Sequence, residues 1–371
     1  MTTAKAALLT GWNRPFEIQE IEWEVPRDDE VGVRIEVCGV CHSDLDMKTE
    51  GPRMGVPYPI LTGHEGGGIV EGIGRNVRRV KPGDKVLLSF IPACGRCPSC
   101  VAGQGQLCDR GAALLSGIRD DGTYRAYNKA GQGLSQFCGL GAYGEYLVVR
   151  EDSCIPIEQD LDLGKVAVVG CRIPTGWGSV INVAKVKQGC TGLVVGLGGV
   201  GFSVIQGLKS VGAVVIIAVD THDKKKWALE WGATHYIDAS KEDVLSEVMK
   251  ITGIGVDYAF DAIGDEEVQA LTVAAVCKGG TAVWIGAVRG ERKGAVAMNS
   301  FLVMNFQKRI SGSLYGGASP LEAVPQLLKM YRAGKIRMDE YVTKEYRLEQ
   351  INEAYADMLA GKNICGLIRL G

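Results

Sequence analysis

The spacing of apolar and polar residues divides the chain into two parts with different patterns. From residue 1 to about 175, short runs of alternating apolar and polar residues are separated by glycine and proline. Examples are FEIQEIEWEVP, EVGVRIEVCGV, GGGIVEGIG, DKVLLSF and GEYLVVRED. A period of two predicts strands that are buried on one face, so we expect a β-barrel or β-sandwich here.

Residues 176 to about 310 follow a different pattern, in which continuous apolar runs alternate with helical segments. The runs GLVVGLG, VVIIAVD, HYID and VDYAFDAIG are separated by segments such as DKKKWALEWG and KEDVLSEVMKI. Strands of this kind predict an α/β fold with a doubly wound parallel sheet. The last segment, residues 311–371, indicates a strand, two helices and a closing strand, and we expect it to return to the first domain.

Length, net charge and apolar runs indicate how many domains the chain has and which classes of partner it lacks. A chain of 371 residues favours two domains, because a single core stops growing at about 250–300 residues. The formal net charge is −2 with no long run of one sign, so we expect no nucleic-acid partner. No apolar run approaches the ~20 residues of a membrane span, and the N-terminal sequence lacks the apolar core of a signal peptide. We therefore expect a cytoplasmic protein with no membrane partner.

The segment LVVGLGGVGFS has the glycine spacing of a dinucleotide-binding loop. It lies after a predicted strand and at the start of a predicted helix, where glycines permit a tight turn and close approach of the backbone to a diphosphate. In so glycine-rich a chain the spacing alone also fits an ordinary turn between a strand and a helix. The candidate cofactor residues of this loop are Gly196, Gly198, Gly199, Val200 and Gly201.

Asp220 is the acidic residue that is expected to accompany a dinucleotide-binding loop. It ends the next predicted strand, about 20 residues beyond the last glycine. A carboxylate there can bind both ribose hydroxyls and repel a 2′-phosphate, so the sequence favours NAD over NADP. Three lysines follow, and either they form a solvated helix face or Lys225 lies near the adenosine ribose.

Four of the twelve cysteines occur together in IPACGRCPSCVAGQGQLC. Disulfides are rare in the cytosol, and a C-x-x-C redox motif would need only two of the thiols. Four thiolates around Zn²⁺ account for all of them and leave no open position, so this zinc is expected to be structural. The candidate ligands are Cys94, Cys97, Cys100 and Cys108.

Residues that are far apart along the sequence form a second candidate metal site. Cys41, His64 and Glu65 lie in glycine-flanked loops of the β-rich part, and Cys171 lies where the two patterns meet. Two thiolates and an imidazole can hold zinc with a fourth position open for water or an alcohol. The alternative is that the cysteines are buried as small apolar residues.

In their order along the chain these motifs resemble the zinc-containing alcohol dehydrogenases of the medium-chain dehydrogenase/reductase superfamily. The motifs are GVCHSD, GHEGGGIVEGIG, KPGDKV, CGRCPSC, GCRIPTGWGS and GLGGVG. The resemblance implies a GroES-like β-barrel catalytic domain over residues 1–175 with a zinc lobe at about 91–109, and a Rossmann domain over 176–310. The sequence FIPACGRCPSC and the long loop at 109–142 resemble those of a bacterial branch that includes nicotinoprotein-type enzymes, in which NAD can stay bound through turnover.

The resemblance also implies roles for individual residues and two zinc ions per chain. Cys41, His64 and Cys171 match the catalytic zinc ligands, and Glu65 matches a carboxylate that can approach the metal. Ser43 matches the hydroxyl that binds the substrate oxygen and relays its proton. Thr175 matches a residue beside the nicotinamide. In the implied mechanism an alcohol loses its proton on zinc and its carbon delivers hydride to NAD.

Several positions depart from the family pattern. Asp46 replaces a histidine that ends the proton relay in many members, and we expect an exposed carboxylate that still accepts the proton; the alternative is an aspartate that caps a turn. His42 and Cys365 stand where family members often carry cations that hold the diphosphate. Arg172 replaces a residue that is usually glycine, and it either bonds a carboxylate or carbonyl or anchors an acidic substrate.

The sequence therefore predicts an NAD-dependent zinc alcohol dehydrogenase that acts on medium-chain or aromatic primary alcohols. Alternatives are a dehydrogenase of a hydroxy acid or hydroxyacyl-CoA, and a formaldehyde dehydrogenase that uses a thiol adduct. Two alternatives are not enzymes. An interaction module or nucleic-acid-binding module built on the zinc lobe would explain only the cysteine cluster. A non-catalytic protein would bind NAD and zinc without oxidising an alcohol. We expect a homo-oligomer, with a dimer favoured over a tetramer.

Overall fold

A computed structural model describes residues 1–113, 117–287 and 295–371. Residues 114–116, within the predicted long loop, and 288–294, within the predicted Rossmann domain, lie outside the described residues. The chain divides into two compact units. The first comprises Met1–Cys171 and Ser319–Gly371, and the second comprises Arg172–Ala318.

The described residues form strands and helices that are numbered in chain order. The strands are β1 (Thr2–Leu9), β2 (Glu17–Trp23), β3 (Glu30–Gly39), β4 (Ile60–Leu61), β5 (Gly66–Ile73), β6 (Lys85–Leu88), β7 (Ala126–Asn128), β8 (Gly133–Gln136), β9 (Tyr146–Arg150), β10 (Cys154–Pro156), β11 (Thr191–Val195), β12 (Val215–Asp220), β13 (His235–Asp238), β14 (Val256–Asp261), β15 (Val276–Trp284), β16 (Arg309–Gly312), β17 (Val342–Arg347) and β18 (Cys365–Arg369). The helices are α1 (His42–Thr49), α2 (Gly51–Met54), α3 (Pro98–Val101), α4 (Leu163–Val166), α5 (Arg172–Gly178), α6 (Gly199–Ser210), α7 (Lys225–Trp231), α8 (Val244–Thr252), α9 (Glu266–Ala275), α10 (Ser300–Asn305), α11 (Pro320–Arg332) and α12 (Ile351–Leu359).

The first unit contains a closed barrel and a larger sheet. The barrel has the strand order β1-β2-β7-β8-β4, and the sheet has the order β10-β6-β5-β3-β18-β17 with β9 also paired to β3. β4 belongs to the barrel and β5 to the sheet, so the short connection between them, residues 62–65, runs from one to the other. His64 and Glu65 lie in this connection.

The second unit is a six-stranded sheet in the order β13-β12-β11-β14-β15-β16. All neighbouring pairs are parallel. β11 and β12 are buried over nearly their whole length, as expected for strands covered on both faces. This order, in which the first strand lies at the centre, is that of a Rossmann fold, and dinucleotides bind such folds at the carboxyl end of the first strand.

The predicted fold class is confirmed: a GroES-like barrel domain is combined with a doubly wound parallel sheet. The C-terminal segment contributes β18, which pairs with β3 of the first unit. β1 and β17 were not predicted, although both pair along most of their length. Within the described residues, no helix combines the length and the apolar character needed to cross a membrane.

Candidate metal and cofactor sites

The structure brings Cys41, His64 and Cys171 together within the first unit. One ligand atom from each of the three side chains lies within 4.8 Å of the other two. Sγ of Cys171 is 3.5 Å from Nε2 of His64. His64 and Cys171 are buried and Cys41 is partly buried, so the donor set is largely shielded from solvent. We name these three residues the Cys41 trio.

Local backbone features position two members of the trio. Cys41 is the N-cap of α1 and has extended backbone angles, so its side chain stands at the end of β3. Gly63 precedes His64 and has a φ of +94°, which an L-residue rarely adopts. A Cβ at Gly63 would also lie 2.6 Å from the backbone nitrogen of Tyr143. Only glycine therefore permits the turn that directs His64 toward Cys41.

Asp44 holds the other nitrogen of the His64 ring. Its Oδ2 lies 2.9 Å from Nδ1 of His64, and both side chains are buried. Its Oδ1 accepts a hydrogen bond of 2.6 Å from the backbone N–H of Gly63. With the proton kept at Nδ1, the Nε2 atom is left as the acceptor that a metal requires. The sequence analysis missed Asp44, although it stands in the same GVCHSD motif as Cys41.

Burial and this ion pair govern the protonation of both groups. Burial raises the pKa of the Asp44 carboxyl above its ordinary value, although the nearby His64 opposes the shift. Burial alone would lower the pKa of His64, but the charges of Asp44 and Cys41 outweigh it and the pKa lies well above the usual value. A cation on or beside the imidazole is therefore stabilised here.

Two aromatic rings enclose the His64 imidazole. Phe90 and Phe137 meet it edge to face, with ring centroids 5.6 Å and 5.5 Å away. These contacts fix the plane of the imidazole and exclude water from its flanks. A ligand that is held in one orientation loses little freedom when a metal binds.

Ser43 and Glu65 occupy neighbouring positions on the same elements. Ser43 lies in the first turn of α1, two residues after Cys41, and is partly buried. Glu65 follows His64 directly and is fully buried, and its carbonyl oxygen accepts a hydrogen bond from Gly39 at the end of β3. Their roles toward a substrate and a metal stay predictions.

The exposure predicted for Asp46 is wrong. The residue is 4% exposed, because α1 buries the whole stretch from Asp44 to Met47. Its Oδ1 lies 3.8 Å from Nε2 of His42, which is partly exposed. The predicted relay position thus consists of a buried carboxylate beside a solvent-accessible imidazole.

The four cysteines of the predicted lobe form a second cluster. Their sulfur atoms all lie within 4.8 Å of one another, and none of the twelve cysteines, all of which are among the described residues, forms a disulfide. Backbone N–H groups of Asp109 and Cys100 donate to Sγ of Cys97 and lower its pKa to about 7. Burial instead raises the pKa of Cys108 to about 12. Four sulfurs at this separation match the tetrahedral four-thiolate site of structural zinc.

In the second unit, the glycine-rich loop has the geometry of a dinucleotide site. Gly198 is the N-cap of α6, and Gly196 has a φ of +94°. A Cβ at Gly201 would lie 1.9 Å from the carbonyl oxygen of Gly196, whereas a Cβ at Gly198 would meet no atom within 4 Å. Gly201 is therefore required for packing, while Gly198 leaves open space for a ligand beside the backbone.

Helix α5 packs closely on the start of α6. A Cβ at Gly176 would lie 2.3 Å from the carbonyl oxygen of Val200. The adjacent Thr175 is buried, and its carbonyl oxygen accepts a hydrogen bond of 2.6 Å from Ser179. Thr175 is thus fixed beside the glycine-rich loop, and its contact with a nicotinamide ring stays a prediction.

Asp220 lies at the end of β12, as predicted, and is buried. Its Oδ2 accepts a hydrogen bond of 2.8 Å from the N–H of Leu197 inside the glycine-rich loop, and its Oδ1 accepts one of 2.9 Å from His222. Of the three following lysines, Lys224 reaches this carboxylate at 3.4 Å, while Lys225 is exposed. The alternative that places Lys225 near the adenosine ribose stays a prediction, and the sequence analysis did not single out Lys224.

Comparisons with known proteins agree with both halves of this architecture. The family model described as "Alcohol dehydrogenase GroES-like domain" matches residues 27–159, and the one described as "Zinc-binding dehydrogenase" matches residues 199–332. The chain belongs to the zinc-type alcohol dehydrogenases. This family is part of the medium-chain dehydrogenase/reductase superfamily, and its members are oxidoreductases of alcohols.

Individual members of the zinc-type alcohol dehydrogenases match over almost the full length. The NDMA-dependent alcohol dehydrogenase of Amycolatopsis methanolica is 40% identical over 370 residues, which are 98% of each chain. Alcohol dehydrogenase B of Mycobacterium tuberculosis is also 40% identical, with 98% of each chain covered. The crystal structure of benzyl alcohol dehydrogenase from Acinetobacter calcoaceticus superposes with a TM-score of 0.92 at 30% identity, and each chain is covered completely.

Proposed function

We propose that the protein oxidises primary alcohols to aldehydes, and reduces aldehydes in the reverse direction, with NAD as the hydride carrier. The Cys41 trio carries this proposal, because its two sulfurs and one imidazole nitrogen lie within 4.8 Å of one another. Three protein ligands leave the fourth position of a tetrahedral zinc for substrate, and a set of two cysteines and one histidine is the one that alcohol dehydrogenases use.

The donor chemistry of the two clusters fits two zinc ions per chain. Cys41, His64 and Cys171 would hold the catalytic ion, and the four lobe thiolates would hold the structural ion. When bound, the first ion supplies a Lewis acid that favours loss of the alcohol proton, and NAD accepts the hydride. Asp44 keeps the proton of His64 on Nδ1, so that Nε2 faces the metal position.

Residues of α1 are suited to move the alcohol proton. We propose that Ser43 accepts it from the substrate oxygen and that the His42–Asp46 pair takes it toward solvent. His42 is the partly exposed member of this pair and Asp46 the buried one. A buried carboxylate beside an accessible imidazole can orient the ring and stabilise its charged form during transfer.

The second unit would hold NAD through the glycine-rich loop and Asp220. The open space beside Gly198 admits a diphosphate, and the N-terminus of α6 favours its negative charge. The Asp220 carboxylate favours a free 2′-hydroxyl over a 2′-phosphate. We therefore propose NAD rather than NADP as the cofactor.

For the substrate we propose medium-chain or aromatic primary alcohols. The structural likeness to benzyl alcohol dehydrogenase, named for an aromatic primary alcohol, supports the aromatic members of this class. An acidic substrate anchored by Arg172 and a thiol adduct of formaldehyde are the competing proposals. Because the relative from Amycolatopsis methanolica is named for its dependence on NDMA, the test includes NDMA in place of added NAD.

The decisive experiment follows NADH absorbance with a panel of alcohols. We expect turnover with benzyl alcohol and 1-hexanol in the presence of NAD, and much slower turnover with NADP, with lactate, or with formaldehyde plus glutathione. A parallel assay replaces added NAD by NDMA. Activity confined to lactate or to the glutathione adduct would contradict the proposed substrate, and no nicotinamide-linked activity on any alcohol would contradict the proposed function. Cys171→Ser is the control that removes one trio ligand.

We also propose that two copies associate through the β16 edge of the six-stranded sheet. β16 is the last strand in the sheet order, and large apolar side chains near it are exposed, including Phe301 at 63% and Met304 at 70%. An open edge beside apolar surface is a favourable place for pairing with a second copy. Light scattering is expected to give the mass of a dimer, and Ile310→Lys, in β16 itself, to give the mass of a monomer; a wild-type monomer would contradict this proposal.

A further inference from the structure

Arg172 is a buried cation at the start of the second unit. It is the first residue of α5 and directly follows the trio member Cys171. Only 4% of its surface is exposed. A guanidinium is buried at a low cost in free energy only where negative charge or several hydrogen-bond acceptors lie beside it, so a buried arginine is well suited to a site that receives an anion.

The Arg172 side chain lies directly against Gly199, the first residue of α6. A Cβ built on Gly199 would be 2.4 Å from Cδ of Arg172 and 3.2 Å from its Nη1. The lack of a side chain at position 199 therefore creates the space that the end of Arg172 occupies. This places a guanidinium at the helix start where a Rossmann fold receives the diphosphate of its dinucleotide.

The positions that the family resemblance assigns to diphosphate-binding cations carry weaker groups in this chain. Cys365 is buried, and its thiol donates to the carbonyl of Gly366 at 3.2 Å. Nε2 of His42 lies 3.8 Å from Oδ1 of Asp46, so its imidazole has a carboxylate neighbour within the first unit. Arg172 is permanently charged and offers a planar fork of donors that matches phosphate oxygens.

We propose that Arg172 binds the diphosphate of the dinucleotide, together with the backbone N–H groups at the start of α6. This inference rests on the proposed function, since it concerns the NAD site. It assigns Arg172 to the cofactor rather than to an acidic substrate, because its side chain lies against Gly199 of the glycine-rich loop. Gly199 then has a role of its own, which is to leave room for the arginine.

Binding of ligands without turnover tests the proposal. Arg172→Gln removes the charge but keeps a side chain of similar reach, and Arg172→Lys keeps the charge. We expect Arg172→Gln to weaken NADH and ADP-ribose binding by about 10-fold to 100-fold, as for loss of a charge-assisted hydrogen bond. Adenosine, which has no diphosphate, is expected to bind all variants equally, and Arg172→Lys is expected to recover part of the affinity. Lys250→Ala, an exposed cation on α8, controls for net charge.

A double-mutant cycle tests the contact itself. Gly199→Ala in the wild type must displace Arg172 and is expected to weaken ADP-ribose binding. In an Arg172→Gly background the same alanine meets none of the arginine atoms, so its further effect is expected to be small. Equal effects of Gly199→Ala in both backgrounds would overturn the proposed contact.

Several results would overturn the proposal and leave the proposed function intact. If the wild type binds NADH and Arg172→Gln binds NADH and ADP-ribose with unchanged affinity, Arg172 does not hold the diphosphate. A rise in KM for lactate without any change in NADH affinity would assign Arg172 to an acidic substrate instead. If the wild type itself binds neither NADH nor ADP-ribose, the proposed function fails together with this inference. Circular dichroism and thermal unfolding verify that each variant is folded.

Discussion

Nδ1 of His64 lies 2.9 Å from Oδ2 of Asp44, and both side chains are buried. The carboxylate is itself held by the N–H of Gly63, and the hydroxyl of Tyr143 lies 3.4 Å from the same Oδ2. The Tyr143 hydroxyl in turn lies 2.9 Å from that of Tyr355. The imidazole of the trio is therefore anchored through a network that extends into the core of the first unit.

Removal of this anchor is expected to weaken metal binding at the trio. In Asp44→Asn the carboxylate no longer fixes the tautomer of His64, and loss of such a partner lowers metal affinity by about 10-fold to 100-fold. Competition with a chelator, monitored as zinc release, measures the effect. Asp46→Asn, on the same helix but beside His42, is expected to keep the wild-type affinity. Equal zinc retention by Asp44→Asn and the wild type would show that Asp44 does not support the site.

Two glycines of the nucleotide loop are expected to behave differently when changed to alanine. The new Cβ in Gly201→Ala lies 1.9 Å from the carbonyl oxygen of Gly196, so the loop must shift and the thermal midpoint falls. The Cβ in Gly198→Ala meets no protein atom within 4 Å, so the midpoint stays the same while NADH binding weakens. Calorimetry and NADH fluorescence separate the two effects. Unchanged NADH affinity in Gly198→Ala would contradict the proposed position of the diphosphate.

The four-thiolate cluster is expected to contribute stability and no chemistry. Cys97→Ser removes the thiol whose pKa of about 7 is set by N–H groups of Asp109 and Cys100. We expect this variant to lose one zinc per chain and to unfold at a temperature lower by about 5 °C or more, because structural zinc contributes folding free energy. The remaining folded fraction is expected to oxidise alcohol at the wild-type rate per catalytic zinc. A normal midpoint with one zinc missing would argue against a structural role.

Glu30 forms a buried charge cluster that is expected to make stability depend on pH. Its Oε1 accepts hydrogen bonds from Nε of Arg119 at 2.8 Å and of Arg125 at 2.7 Å. Burial acts to raise the pKa of Glu30, but the two guanidinium groups outweigh it and the pKa lies below the ordinary value of 4.5. The stabilisation is therefore present above about pH 4.5 and is lost as the pH falls through the lowered pKa.

Glu30→Gln tests this dependence. At pH 7 we expect a loss of about 3 kcal/mol in the free energy of unfolding, because two buried arginines lose the charged carboxylate that they share, although Arg119 keeps its ion pair with Glu24. The difference between variant and wild type should shrink as the pH falls below 4.5. Glu20→Gln, which breaks the exposed pair with Lys129, is expected to change stability little. A difference that stays constant from pH 7 to acid unfolding would contradict the account of Glu30.

Features with a strong local pattern could be predicted from the sequence. The spacing of Cys94, Cys97, Cys100 and Cys108 within one loop already indicated that they form a cluster, and the structure places their sulfurs together. The alternation of apolar runs and helical segments predicted the Rossmann sheet, because its strands are buried on both faces. The apolar–polar alternation likewise predicted β3 and β5 close to their observed bounds.

Features that depend on tertiary contacts could not be predicted. β17 has exposed residues along most of its length and no apolar run, so its pairing with β18 left no signal in the sequence. Asp46 was expected at the surface because aspartate usually is, but its burial depends on how α1 packs. The roles of Asp44 and Lys224 depend on distances to His64 and Asp220 that spacing along the chain does not encode.

The zinc content of the purified protein, measured together with its alcohol oxidation, tests the central claim most directly. We expect two zinc ions per wild-type chain with NAD-linked oxidation of benzyl alcohol, and one zinc with no oxidation in Cys171→Ser. Such a result would assign the chemistry to the Cys41 trio and the structural role to the lobe cysteines. One zinc per wild-type chain, or undiminished oxidation in Cys171→Ser, would contradict the account.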